Sequence, residues 1–75
     1  MTPKRRPATG KDVQRVLVQL DYQLIGQKGS HAQYKKPGAG KVTLSCRGEI
    51  KQGTFRSILS QIGLSEDDFF SLLGE

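Results

Sequence analysis

Seventy-five residues leave room for one domain, and a chain of this length buries only about 60% of the surface that its unfolded form exposes. Twelve Lys and Arg residues against seven Asp and Glu residues give a formal net charge of +5, which favours a negatively charged partner such as nucleic acid or an acidic protein. One cysteine excludes an internal disulfide, and one cysteine with one histidine offers no zinc-ligand set, so we expect no metal, no cofactor and a reducing compartment.

The N-terminal residues 1–8 predict a flexible basic tail outside the core. They contain two prolines and the consecutive basic residues Lys4, Arg5 and Arg6, without apolar periodicity. This cluster is followed by Pro-Ala-Thr-Gly rather than by the apolar segment of a signal peptide, and no run approaches the roughly 20 apolar residues of a membrane span. We therefore expect a cytoplasmic protein with no membrane partner, whose single domain comprises residues 9–75.

The first element of that domain is a predicted helix. Thr9 is a typical N-cap with Asp12 three positions later, and apolar residues then recur at helical spacing, at Val13, Val16, Leu17 and Leu20.

The central segment predicts three antiparallel strands. Residues 22–27 are β-tolerant, Lys28, Gly29 and Ser30 form a turn, and residues 31–36 form the return strand. Pro37-Gly38-Ala39-Gly40 ends that strand, after which residues 41–46 alternate between polar and apolar side chains.

Two further helices complete the chain. Phe55, Ile58, Leu59 and Ile62 recur at helical spacing from about Gln52, Gly63 is placed to end this helix, and Ser65 can cap a last short helix. The order α-β-β-β-α-α predicts a small α+β domain with a three-stranded antiparallel sheet that carries its helices on one face.

Strand alternation predicts which side chains lie on the other, solvated face. Val42, Leu44 and Cys46 are expected to point to the helices, together with Ala32 and Tyr34. The solvated face then carries these side chains: His31, Gln33, Lys35, Thr43, Ser45 and Arg47. A titratable ring therefore lies on a polar, basic surface, provided that no bulge intervenes near Gly29.

Two motifs in order resemble the HicA family of mRNA interferase toxins. Gly29-Ser30-His31 with Tyr34 three residues later is followed, about 20 residues on, by Gly53-Thr54-Phe55-Arg56-Ser57-Ile58-Leu59, and the likeness spans Thr9 to about Leu73. The resemblance implies a fold similar to double-stranded RNA-binding domains, metal-independent cleavage of messenger RNA, and a HicB-type antitoxin that masks the active site. It also implies that His31 is the catalytic residue. Relatives often carry Val-Pro-x-His in the third strand where this chain reads Leu44-Ser45-Cys46-Arg47, so the general acid is unassigned.

Cleavage of RNA without metal needs a base that removes a 2′-OH proton and cations that stabilise the phosphate. Histidine is the side chain whose ordinary titration range lies nearest neutral pH. The hypothesis makes His31 the general base, with phosphate or RNA contacts from six further residues: Lys28, Ser30, Lys35, Arg47, Lys51 and Arg56.

Several of these residues have structural interpretations as well. Tyr34 suits base stacking or, more simply, core packing. The lysines near the Pro-Gly loop, Lys35 among them, suit phosphate binding or a solvated hairpin tip. Gly53 and Thr54 suit an anion site at a helix N-terminus, beside Lys51 and Arg56, or ordinary capping.

Three functions follow from this sequence. The first is a toxin nuclease, which we expect to cut single-stranded RNA rather than duplex because His31 is predicted on the sheet. The second is a non-catalytic RNA-binding module of the same fold, which the missing second histidine favours. The third is a protein-interaction domain whose charge serves an acidic partner.

Overall fold

The structure, a computed structural model, describes residues 7–74. Its elements follow the order α1 (Gly10–Gln19), β1 (Gln23–Lys28), β2 (His31–Lys35), β3 (Val42–Ser45), α2 (Gln52–Ile62) and α3 (Glu66–Leu72). This order confirms the predicted α+β fold class. Within residues 7–74, no helix has the length and apolar composition that crossing a membrane requires.

The N-terminal boundary differs from the prediction at one residue. The basic cluster of the predicted tail, residues 4–6, lies outside the described residues. Ala8 was expected in the tail, yet it is only 3% exposed and belongs to the core. Its carbonyl accepts a hydrogen bond from the amide of Ile50 at 2.8 Å, and Thr9 forms an isolated β-bridge with Glu49. Backbone pairing with the connection between β3 and α2 therefore holds Ala8 in the core.

Helix α1 begins at the predicted N-cap. The Thr9 hydroxyl accepts a hydrogen bond from the amide of Asp12 at 3.2 Å, and the Asp12 carboxylate accepts one from the amide of Thr9 at 3.0 Å. These reciprocal bonds form a capping box. Gly10 is buried, and a Cβ atom at this position would overlap the carbonyl oxygen of Ser45. Glycine thus allows the start of α1 to approach the end of β3 closely.

Strand β2 is the centre of a sheet with the order β1-β2-β3. A two-residue turn joins β1 to β2, and its first residue, Gly29, has a φ of 61°, a conformation that favours glycine. The register pairs Lys28 with His31 across β1 and β2. It shifts between Leu24 and Gly26, so Ile25 is the extra residue of a β-bulge. The alternation from Gly26 through the turn is uninterrupted.

The core lies between the helices and one face of β2 and β3. The strands contribute Ala32, Tyr34, Val42 and Leu44, each at most 6% exposed. The helices contribute their apolar faces: Val13, Val16, Leu17, Phe55, Ile58, Leu59, Phe69 and Phe70. The three phenylalanine rings lie with centroids 5.0, 5.2 and 6.2 Å apart, so α2 and α3 meet in an aromatic cluster.

The ends of the last two helices follow the predicted signals. Gly63 ends α2 in the left-handed conformation with a φ of 73°. The Ser65 hydroxyl accepts a hydrogen bond from the amide of Asp68 at 3.1 Å and so caps α3.

The predicted alternation of β2 and β3 is confirmed. His31 and Lys35 are exposed and Gln33 is half-buried, whereas Ala32 and Tyr34 between them are buried. Strand β1 supplies no residue to the core. We call the face of the sheet away from the helices the open face, and it is formed by Gln23, Gly26, Lys28, His31, Gln33, Lys35, Thr43 and Ser45.

Candidate functional site

His31 occupies the first position of β2, directly after the turn. The register places Lys28 of β1 on one side of it and Ser45 of β3 on the other. Directly opposed residues of antiparallel strands face the same side, with Cβ atoms about 5 Å apart. An ammonium group, an imidazole and a hydroxyl group therefore stand in one row across the open face, and we call these residues the His31 row.

The His31 row is accessible, and the charged residues within the three strands are all basic. Lys28 and His31 are exposed and Ser45 is half-buried. None of the three strands contains Asp or Glu, so no carboxylate of the sheet offsets the positive charge. Exposed Arg47 follows two residues after Ser45, and its amide donates a hydrogen bond to the Ser45 hydroxyl at 3.4 Å. Such a surface attracts an anionic ligand.

The turn and the end of β3 are held together beside this row. The amide of Cys46 donates a hydrogen bond to the carbonyl of Ser30 at 2.7 Å. Ser30 itself is half-buried and precedes His31 in the chain. Because this hydrogen bond joins the turn to the end of β3, the backbone next to His31 is fixed to the neighbouring strand as well as to β1.

A depression of about 180 Å³ adjoins His31 on the open face. It is lined by Gly26, Gln27, Lys28, His31 and Gln33. Gly26 leaves space where a side chain would otherwise stand, opposite Gln33 in the register. Sequence reasoning missed both this depression and the position of Ser45 next to His31, because both depend on the strand register.

Lys35 is separated from the His31 row. It lies at the other end of β2, four residues and roughly 13 Å along the strand. Its ammonium group donates a hydrogen bond to the carbonyl of Ala39 at 2.8 Å and so braces the Pro-Gly loop. The neighbouring Lys36 donates to the carbonyl of Leu20 at 3.2 Å and lies 5.3 Å from the centre of the Tyr22 ring. Both ammonium groups therefore hold backbone carbonyls of the protein, a role that neither sequence interpretation gave to these lysines.

Lys51 and Arg56 lie at the start of α2, and both are exposed. Lys51 is the N-cap, and no side chain caps this helix end. Of the two interpretations of Thr54, ordinary capping is wrong, because the helix begins at Gln52, with Lys51 as its N-cap, and places Thr54 inside its first turn.

Tyr34 packs in the core and is 6% exposed, as the structural interpretation predicts. Its hydroxyl accepts a hydrogen bond from the side-chain amide of Gln14 at 3.0 Å. The same amide group lies 3.1 Å from the sulfur of Cys46, which is half-buried on the helix side. These contacts tie α1 to the sheet.

Among residues 7–74, no group of three or more His, Cys, Asp or Glu side chains lies together in a way that could hold a metal ion.

A family model covers most of the chain. The model described as HicA toxin of bacterial toxin–antitoxin matches residues 10–64, which include α1, the three strands and α2. The searches of curated proteins and of solved structures gave no match. The matched segment contains the whole His31 row and the depression beside it. The chain therefore belongs to the HicA toxin family of bacterial toxin–antitoxin systems.

Proposed function

We propose that this toxin is a metal-independent endoribonuclease that cleaves messenger RNA in the cytoplasm, with His31 as its catalytic residue. The His31 row carries the proposal, since it places an exposed imidazole between an ammonium and a hydroxyl group on strands without carboxylates. RNA cleavage by the 2′-OH needs a base and a source of positive charge, and this row offers both.

In the proposed reaction, the neutral imidazole of His31 takes the proton of a ribose 2′-OH, and O2′ forms a bond to the adjacent phosphorus. The bond from phosphorus to O5′ breaks, O5′ leaves with a proton from water, and the imidazolium returns its proton to solvent. The products are a 2′,3′-cyclic phosphate and a 5′-hydroxyl end. Lys28 stabilises the charge that develops on the phosphate, with Ser30 and Arg47 contacting the same group.

Turnover is expected to be slow, because the chain contains a single histidine. Arg47 supplies charge but no proton near neutral pH, so water must protonate the leaving oxygen. A rate comparable to that of efficient two-histidine ribonucleases would contradict this account.

The proposed substrate is single-stranded RNA. O2′ must align with the bond that breaks, and a flexible single strand adopts this geometry more readily than a regular duplex does. Lys35, Lys51 and Arg56 would contact the strand outside the His31 row, each adding to the salt dependence of binding. Preferential cutting of perfect duplex would overturn this part of the proposal.

The proposed protein partner is a HicB-type antitoxin that covers the open face. A complementary acidic surface would be steered to it by the charges of Lys28 and Arg47. Binding of the antitoxin would then keep RNA away from His31.

The test is cleavage of labelled single-stranded RNA by purified wild type and by His31→Ala, with thermal melting to confirm folding. General acid–base catalysis by one residue contributes about 10²- to 10⁴-fold in rate, so the variant should lose activity on that scale. Lys28→Ala should also lose activity, whereas Lys41→Ala removes the same charge from an exposed site outside the His31 row and serves as its control. EDTA should leave the rate unchanged, and a 2′-deoxyribose at the cut site should block cleavage.

The competing function is an RNA-binding module without catalysis, which the single histidine favours. That protein would retard RNA on a gel and leave it intact, with wild type and His31→Ala behaving alike. A protein-interaction domain would instead show a shallow salt dependence of RNA binding.

A further inference from the structure

Gln33 differs from most glutamines of this protein. Five others donate side-chain hydrogen bonds within the chain: Gln14, Gln19, Gln27, Gln52 and Gln61. The side-chain amide of Gln33 makes no hydrogen bond to any residue between 7 and 74, although Gln33 is half-buried at the centre of the sheet. Its donor and acceptor are therefore available to a ligand on the open face.

That amide group stands beside the depression next to His31. A Cβ atom built on Gly26 would lie 3.7 Å from Oε1 of Gln33, so the amide borders the space that glycine leaves empty. The volume of about 180 Å³ is below the roughly 300–1,000 Å³ of pockets that hold drug-sized ligands, and it suits a single planar ring system. His31 and Lys28 also line the depression, so a ring bound there is next to the groups that act on a phosphate.

We propose that this depression binds one nucleobase of the RNA, next to the cut phosphate, and that the Gln33 amide recognises the edge of that base. The proposal rests on the ribonuclease function proposed above and adds a residue that determines specificity. Sequence-specific recognition of RNA usually reads bases that are splayed out of a single strand, by hydrogen bonds to their edges. A glutamine amide presents one donor and one acceptor side by side, as base recognition requires.

The first experiment compares the cut sites that wild type, Gln33→Ala and Gln33→Glu choose in a pool of random single-stranded RNA. A bidentate amide contact discriminates between bases by about 5- to 150-fold, so Gln33→Ala should lose a preference of that size at one position beside the cut. Gln33→Glu keeps the shape but only accepts hydrogen bonds, so it should prefer different bases at the same position. Thr43→Val is the control, since Thr43 pairs with Gln33 from β3 and lies outside the depression.

The Gly26→Val variant is a second test of the base site. The Cβ meets no backbone atom within 4 Å, and valine favours strands, so the variant should fold. Its side chain would occupy the depression, which should raise KM for RNA more than it lowers kcat. Unchanged KM in a folded variant would count against the depression as a base site.

The outcomes separate this inference from the proposed function. If cleavage requires His31 and Gln33→Ala keeps the sequence preference of the wild type, the base site is refuted and the ribonuclease function stands. If wild type does not cut RNA, a dinucleotide with a 2′-deoxyribose at its first position remains a usable probe. Titration with this dinucleotide should shift the side-chain amide resonances of Gln33 in an NMR spectrum. Resonances that stay unmoved at a saturating concentration of the dinucleotide would refute the base site.

Discussion

Replacing Gly10 with alanine tests how closely α1 approaches the sheet. A Cβ atom on Gly10 would overlap the carbonyl oxygen of Ser45 and lie 2.7 Å from the Cα of Cys46. These are backbone atoms, so either α1 or the end of β3 must move. Overpacking typically costs about 1–3 kcal/mol, and alanine gains at most about 1 kcal/mol over glycine in a helix. We expect Gly10→Ala to lower the free energy of unfolding by roughly 2 kcal/mol.

The assay is unfolding by urea and by heat, followed by circular dichroism. A chain of 75 residues has a free energy of unfolding of roughly 4–11 kcal/mol, so the variant should remain folded. A loss of roughly 2 kcal/mol should lower its Tm by about 8–16 °C. Gly53→Ala is the matched control, because Gly53 lies in the first turn of α2 and a Cβ atom there meets nothing within 4 Å. Gly53→Ala should equal or slightly exceed the wild type in stability. A Gly10→Ala variant as stable as the wild type would refute the close approach of α1 to the backbone at the end of β3.

Phe69→Ala removes a fully buried ring and should cost about 3–5 kcal/mol in unfolding free energy, whereas Phe69→Leu should cost less; thermal melts of the two variants measure the difference. A chain that ends at Leu64 loses α3 and should show no cooperative melting transition. A cooperative transition in this shortened chain would mean that the family-matched segment folds alone. Gln14→Leu removes the hydrogen bond to Tyr34 and should lower the free energy of unfolding, measured in urea, by about 1 kcal/mol. An unchanged midpoint of the urea transition would contradict this expectation. Gly63→Ala places a Cβ in the left-handed region at a cost of about 1–2 kcal/mol, and Gly63→Asn should cost less in the same assay.

Much of the fold was predictable because its signals are local. The Thr9 capping box, the left-handed Gly63 and the Ser65 cap each involve groups within a few residues of one another. The alternation of β2 likewise follows from strand geometry alone, so the position of His31 on the open face could be predicted before the structure was known. The placement of Tyr34 in the core follows for the same reason.

The neighbours of His31 in the candidate site could not be predicted from the sequence. Sequence reasoning grouped Lys28 and Lys35 as equal phosphate contacts, but only the register shows that Lys28 stands opposite His31. Lys35 lies at the other end of β2, where its ammonium group donates a hydrogen bond to the carbonyl of Ala39. The position of Ser45 beside His31 and the depression over Gly26 were missed, because each depends on which residues of different strands face one another.

The sequence by itself determined the order of helices and strands, the end signals at Thr9, Gly63 and Ser65, and the faces of β2 and β3, because periodicity and capping act over a few residues. Tertiary structure decided that Ala8 joins the core, that β1 stays uncovered, and that Lys28 and Ser45 flank His31. These features depend on strand register and on the close contact of Gly10 with the backbone of β3. They join residues far apart in the chain, and only the packing of the whole domain selects them.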